Sequence, residues 1–166
     1  MLAWAALRFF HREAPAPIVP GVDSTSTGVH SVQLWFASPS GDGLVSEPRD
    51  VADSGSELHE RVAVLIAELE RGPEKGGVKT LPPGTALLHV YLDDRGLLTL
   101  DLSRAFQQNF RGGTADESLV IGSLVRTIAG SFPEVRQIQV VCGGNPLPSL
   151  GGHLPLDRPL DVGDWP

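Results

Sequence analysis

The chain has 166 residues, 41% of them hydrophobic, which suits one domain with a true core and is too many for a disordered chain. Asp and Glu outnumber Lys and Arg by 20 to 13, and the resulting charge of −7 repels phosphate backbones, so no nucleic acid partner is expected. A single cysteine, Cys142, excludes an internal disulfide and zinc sites built on paired cysteines, and the five histidines lack ligand-like spacing.

Residues Met1 to Phe10 are mostly apolar, but a membrane span needs about 20 such residues, so this stretch does not cross a bilayer alone. Residues 1–12 are read either as the end of an anchor, giving a membrane tether through the N-terminus, or as a short amphipathic start. Arg8, His11 and Arg12 weigh against export of the downstream chain. Residues 13–31 form a linker, because Pro15, Pro17 and Pro20 stiffen it and the Asp23 to Gly28 stretch has little apolar surface to bury. The folded domain is expected over 32–160, with 161–166 as a tail.

Val32, Leu34 and Phe36 alternate with Gln33 and Trp35, which is the period of a half-buried strand. Turn residues Pro39 to Gly43 lead to a second strand, Leu44 to Val51, whose Val45, Glu47, Arg49 and Val51 share one side. Pro48 cannot donate to a ladder, so this strand belongs at an edge or carries a bulge. A helix comes next, with Ser54 and Glu57 as a capping box, a stripe of Leu58, Val62, Leu65, Ile66 and Leu69, and a stop at Gly72-Pro73. A second helix repeats the scheme with Thr114 and Glu117, then Val120, Ile121, Leu124, Val125 and Ile128; Gly122 within it signals close packing against the sheet.

Between the helices lies a hairpin. A three-residue loop, Asp94-Arg95-Gly96, pairs 92 with 98, 90 with 100 and 88 with 102, and puts Gly96 where a left-handed residue is wanted. On the other face this register sets Tyr91 opposite Thr99 and His89 opposite Asp101. A last strand runs from Arg136 to Cys142, and a proline-rich segment with a short strand near His153-Leu154 completes the chain. The order β-β-α-β-β-α-β predicts an α+β fold, with both helices on one face of a mixed, mainly antiparallel sheet.

No P-loop, dinucleotide fingerprint or Gly-x-Ser-x-Gly elbow is present. His89 facing Asp101 is the sharpest local candidate for chemistry, since a carboxylate beside imidazole fixes its tautomer as a base requires. Cross-strand polar pairs more often serve pairing and solubility. Glu47 and Arg49, two apart on one strand, form either a polar platform for a sugar or peptide or a pair with partners inside the domain. Glu57 and Glu117 are accounted for by capping. The scattered aromatics predict no stacking groove.

The ordered marks are Trp35-Phe36, Leu44 to Val51, the helix ending at Gly72-Pro73, Leu81-Pro82-Pro83-Gly84-Thr85, Asp101-Leu102-Ser103, the second helix and Gly143-Gly144. Together they resemble the GerMN ("germane") domain, named from bacterial sporulation and spore-germination proteins. The resemblance implies a fold similar to ring-building modules, and an extracytoplasmic, envelope-associated binding or assembly role. It carries no catalytic residues, cofactor or metal. The implied partners are peptidoglycan or an envelope protein, with self-association into a ring or dimer as a further expectation. The docking surface is expected at the edge near Pro48 or on the helix faces, and the candidate binding residues are Glu47, Arg49, His89 and Asp101. The alternative is a small hydrolase using His89 and Asp101.

Overall fold

The computed structural model describes residues 28–53 and 55–165. The expected anchor or amphipathic start, the linker through Thr27, Ser54 and Pro166 lie outside the described residues. The first strand, β1 (Val29–Ala37), begins within the expected linker and pairs antiparallel with β2 (Leu44–Ala52) in continuous register from Val29↔Ala52 to Ala37↔Leu44. Helix α1 (Leu58–Arg71) leads to the hairpin β3 (Leu87–Leu92) and β4 (Leu97–Leu102). A single helical turn, α2 (Ala105–Gln108), precedes the long α3 (Thr114–Ser131) and β5 (Gln137–Cys142). Two-residue strands β6 (Asn145–Pro146) and β7 (Leu160–Asp161) and a 3-10 turn, Val162–Asp164, complete the order.

The α+β class holds, but the strands form two sheets where one was expected. β1 and β2 stand as a two-stranded ribbon, and β3-β4-β5-β6 form the mixed sheet, with β7 also paired to β5. Among the described strands only β4 and β5 run parallel. One core joins both sheets to both helices. Val32, Leu34 and Phe36 meet Val62, Leu65, Ile66 and Leu69 of α1, the α3 stripe from Val120 to Ile128, and the inward faces of β4 and β5. No described helix is long and apolar enough to cross a membrane.

The hairpin register is as predicted over Leu92↔Leu98, Val90↔Leu100, Tyr91↔Thr99 and His89↔Asp101. It departs at its far end, where a bulge at Leu88 gives Leu102 the partner Leu87 and leaves Leu88 exposed. Ser103 sets this end, because its backbone N–H donates to Ala86 O and its hydroxyl accepts from Ala86 N. Gly96 adopts φ +86, and an added Cβ would sit 2.6 Å from Glu134 O. Gly96→Ala should therefore cost about 1–2 kcal/mol for the left-handed backbone alone, before the clash, read as a lower midpoint in urea unfolding.

Both helix starts differ from the sequence reading by position. α1 begins at Leu58, so Glu57 stands extended at the N-cap, outside the helix's first turn, and makes no side-chain cap bond there. In α3 the residue that reaches back is Asp116, which accepts from Gly113 N at 2.9 Å. Glu117, next along, turns inward and is fully buried. The notch at Gly122 admits the Leu44 side chain and the Trp165 ring, each 3.1 Å from where a Cβ would stand. Residues 161–165 are thus part of the fold: Asp161 pairs with Gln137 and Trp165 packs on α3. The short strand expected near His153-Leu154 lies instead at Leu160–Asp161.

Candidate functional site

Three groupings of polar residues stand out, and they differ in what they leave accessible. The first is built on β2. The strand's alternation turns Glu47, Arg49 and Val51 inward together, and each is at most 5% exposed. Arg49 bonds Glu47 directly, donates through Nη1 to Glu68 Oε2 of α1 at 2.6 Å, and through Nη2 to Gly72 O at 3.1 Å. Glu47 also accepts from the backbone N–H groups of Glu74 and Lys75. Burial alone pushes the Glu47 carboxyl up, but the Glu74 amide, the Arg49 guanidinium and the Lys75 amide outweigh it and hold the group below its ordinary range. Arg71 extends the network outward to Glu68 and Glu74. Of the two roles considered for Glu47 and Arg49, the geometry is that of pairing inside the domain, where they bind β2 to the end of α1 and the loop after it.

The second grouping is the outward face of the hairpin. His89 lies opposite Asp101, yet no hydrogen bond or ion pair joins them. His89 is exposed, whereas Asp101 is 8% exposed and accepts from Gly144 N at 2.9 Å, so its carboxylate holds the turn between β5 and β6. A base oriented by a carboxylate requires contact between the two. The register brings the pair face to face without forming a dyad. On the same face Tyr91 stands opposite Thr99, which in turn neighbours Gln139 of β5. Tyr91 is 67% exposed and Leu88, at the bulge, 40%. β3 pairs only with β4, so among the described residues its outer edge meets no strand.

The third is Glu117, which the sequence assigned to capping and which the structure turns inward. Its Oε1 accepts from Leu150 N and Gly151 N at 2.9 Å each, and its Oε2 from His153 N at 3.0 Å. Burial raises its pKa, but the amides of Gly151, His153 and Leu150 bring it below the ordinary value. The carboxylate fastens the C-terminal segment to the start of α3. The sequence offers two adjacent acids, Asp116 and Glu117, at the helix start, and nothing local distinguished the capping residue from the inward one.

The edges of the β1–β2 ribbon are less available. At β1, Trp35 N donates to Thr127 Oγ1 and Trp35 O accepts from Ser123 Oγ, so α3 hydroxyls occupy that backbone, while Arg126 covers the Trp35 ring. At β2, Pro48 removes a donor. A groove of about 450 Å³ lies beside the start of α3, walled by Val78, Pro82, Phe110 and Leu119. Its polar neighbours have internal partners: Lys79 binds Glu70 at 3.0 Å, and Arg111 Nη1 donates to the carbonyls of Gln108 and Phe110. Among the described residues no three His, Cys, Asp or Glu side chains gather as a metal site requires.

Comparison with known proteins agrees with this architecture. Similar solved structures include the tandem GerMN domains of the sporulation protein GerM from Bacillus subtilis, 16% identical with a TM-score of 0.65, covering 82% of this chain and 48% of that one. The first GerMN domain of the same protein is 17% identical with a TM-score of 0.62, over 80% of this chain and 97% of that one. A putative lipoprotein from Clostridium perfringens is 20% identical with a TM-score of 0.58, over 82% and 90%. At these identities the likeness is one of fold. No curated protein matches the sequence. The family profile Germane, described as "Sporulation and spore germination", matches residues 33–148, and the chain belongs to that family.

Proposed function

We infer that this chain is a non-enzymatic envelope module that docks to a protein partner through β3. The observation that carries the reading is an edge strand with an unpaired side, presenting Tyr91 and Leu88 to solvent beside His89. Such an edge accepts an added strand, main-chain bonds giving affinity and alternate side chains giving selectivity. A buried aromatic anchor is the usual centre of such a contact. Asp101, across from His89 on β4, holds the Gly144 turn. Glu47 and Arg49 act at a distance from it, by fixing β2 and α1 together. The envelope placement draws on the family and on the similar chain described as a putative lipoprotein.

A photo-crosslinking residue at position 91, with one at exposed Ser118 as control, tests the reading in intact envelopes. Adducts with one protein at 91 and none at 118 are expected, and Tyr91→Ala should weaken that purified complex by about 2 kcal/mol, roughly thirtyfold. Binding to purified peptidoglycan sacculi that survives Tyr91→Ala, with no adduct at 91, would instead favour a glycan ligand on another surface. Adducts only with a second copy, together with mass rising with concentration in light scattering, would favour self-association.

A further inference from the structure

The loop between β1 and β2 contains the chain's only Asp-Gly step, Asp42-Gly43. Asp42 is exposed, and Gly43 has no neighbour within 4 Å of where a side chain would begin. Gly43 O accepts from Ser38 N at 2.8 Å, whereas no described group accepts the Gly43 N–H. Asp42 Oδ1 accepts from the hydroxyls of Ser38 at 2.6 Å and Ser40 at 2.7 Å, and those two oxygens lie 3.0 Å apart. The loop therefore places an uncommitted amide nitrogen directly after a carboxyl group whose state is governed by two serines.

We propose that Asp42-Gly43 is a site of spontaneous conversion to isoaspartate, and that the hydroxyls of Ser38 and Ser40 are its brake. The Gly43 nitrogen attacks Asp42 Cγ and a C–N bond forms. The amide proton and the carboxyl OH leave as one water, closing a five-membered succinimide. One water then opens the ring: at the former main-chain carbonyl it yields isoaspartate, and at Cγ it restores aspartate. The balance needs no oxidant or second reactant, and the final mass equals the initial one.

The brake arises from the leaving group. Oxygen departs from Cγ as water only when the carboxyl is neutral, and donors bonded to Oδ1 favour the ionised form. The bonds from Ser38 and then Ser40 hold the Asp42 carboxyl below its ordinary value of 3.8. Conversion inserts a methylene into the main chain just before Gly43, the neighbour of Leu44, whose side chain shares the Gly122 notch with Trp165. The product thus alters the β1–β2 connection next to a packed contact.

The test is to hold the full chain at neutral pH for several weeks, together with a free peptide of residues 38–44. Isoaspartate is then read by peptide mapping with fragmentation that distinguishes the two linkages. The folded chain should convert several-fold more slowly than the peptide. Ser38→Ala/Ser40→Ala should convert several-fold faster than the unaltered chain, and Ser38→Thr/Ser40→Thr, which keeps both hydroxyls, should remain slow. A merely loosened loop does not predict that split between alanine and threonine. Equal rates for the chain and the peptide, or for the alanine and threonine pairs, would overturn the proposal.

Discussion

Replacing Arg49 by methionine should destabilise the domain by about 3–5 kcal/mol, the usual consequence of removing one member of a buried ion pair. Methionine matches the length of the stem but leaves Glu47, 5% exposed, without its cation. It also strips Gly72 O of its donor and leaves Glu68 with Arg71 alone. The double variant Glu47→Gln/Arg49→Met should recover part of the loss, because no uncompensated charge is then buried. The measurement is a double-mutant cycle by urea unfolding, in which the two single losses sum to more than the double loss. Strict additivity would show that Glu47 and Arg49 do not act as a pair. Surface members of the same network, such as Arg71, which is 62% exposed, should matter far less, within about 1 kcal/mol on replacement by alanine.

How far this arrangement was legible depends on the separation of the partners. The two-residue spacing of Glu47 and Arg49 put them on the face of Val51, and that face is buried. Their partners Glu68, Gly72, Glu74 and Lys75 come from an element whose docking no local pattern specifies. The hairpin was legible because loop length and the need for a left-handed Gly96 fix the register together. It ceased to be legible at Leu87-Leu88, where two adjacent leucines leave the alternation ambiguous and Ser103, across the pair, selects the bulge. Periodicity likewise states which side of a strand is apolar, and does not state which strand lies beside it. The separation of β1 and β2 from the mixed sheet was hidden for that reason. His89 and Asp101 show the reverse limit. The register was read correctly, but the acceptor role of Asp101 toward Gly144 depends on a turn more than 40 residues away.

Glu117 is where a small positional difference has the largest structural consequence. Because α3 starts at Thr114, Asp116 takes the capping position and Glu117 falls on the inner face, where three amide donors of the C-terminal segment converge. Glu117→Ala should cost about 3 kcal/mol, since charge-assisted bonds are lost and the buried Leu150 amide is left without a partner. The loss should be local first. Hydrogen exchange at Leu150, Gly151 and His153 should accelerate, and protease cleavage should appear in the loop leading to β7, while the amides of β4 and β5 remain protected. The direction of the shift sets the pH dependence. The folded carboxyl titrates below its ordinary value of 4.5, so the unfolded chain binds the proton more readily. The contribution is therefore complete above that value and drains away as the pH falls from there through the folded pKa. Glu47 is shifted in the same direction and adds to the same acid limb. Glu117→Gln removes the titration and also turns an amide donor toward one of the segment's N–H groups. It should lower stability at neutral pH while flattening the acid limb of the unfolding curve. An acid limb as steep as that of the unaltered chain would show that Glu117 does not hold the C-terminal segment in place through its charge.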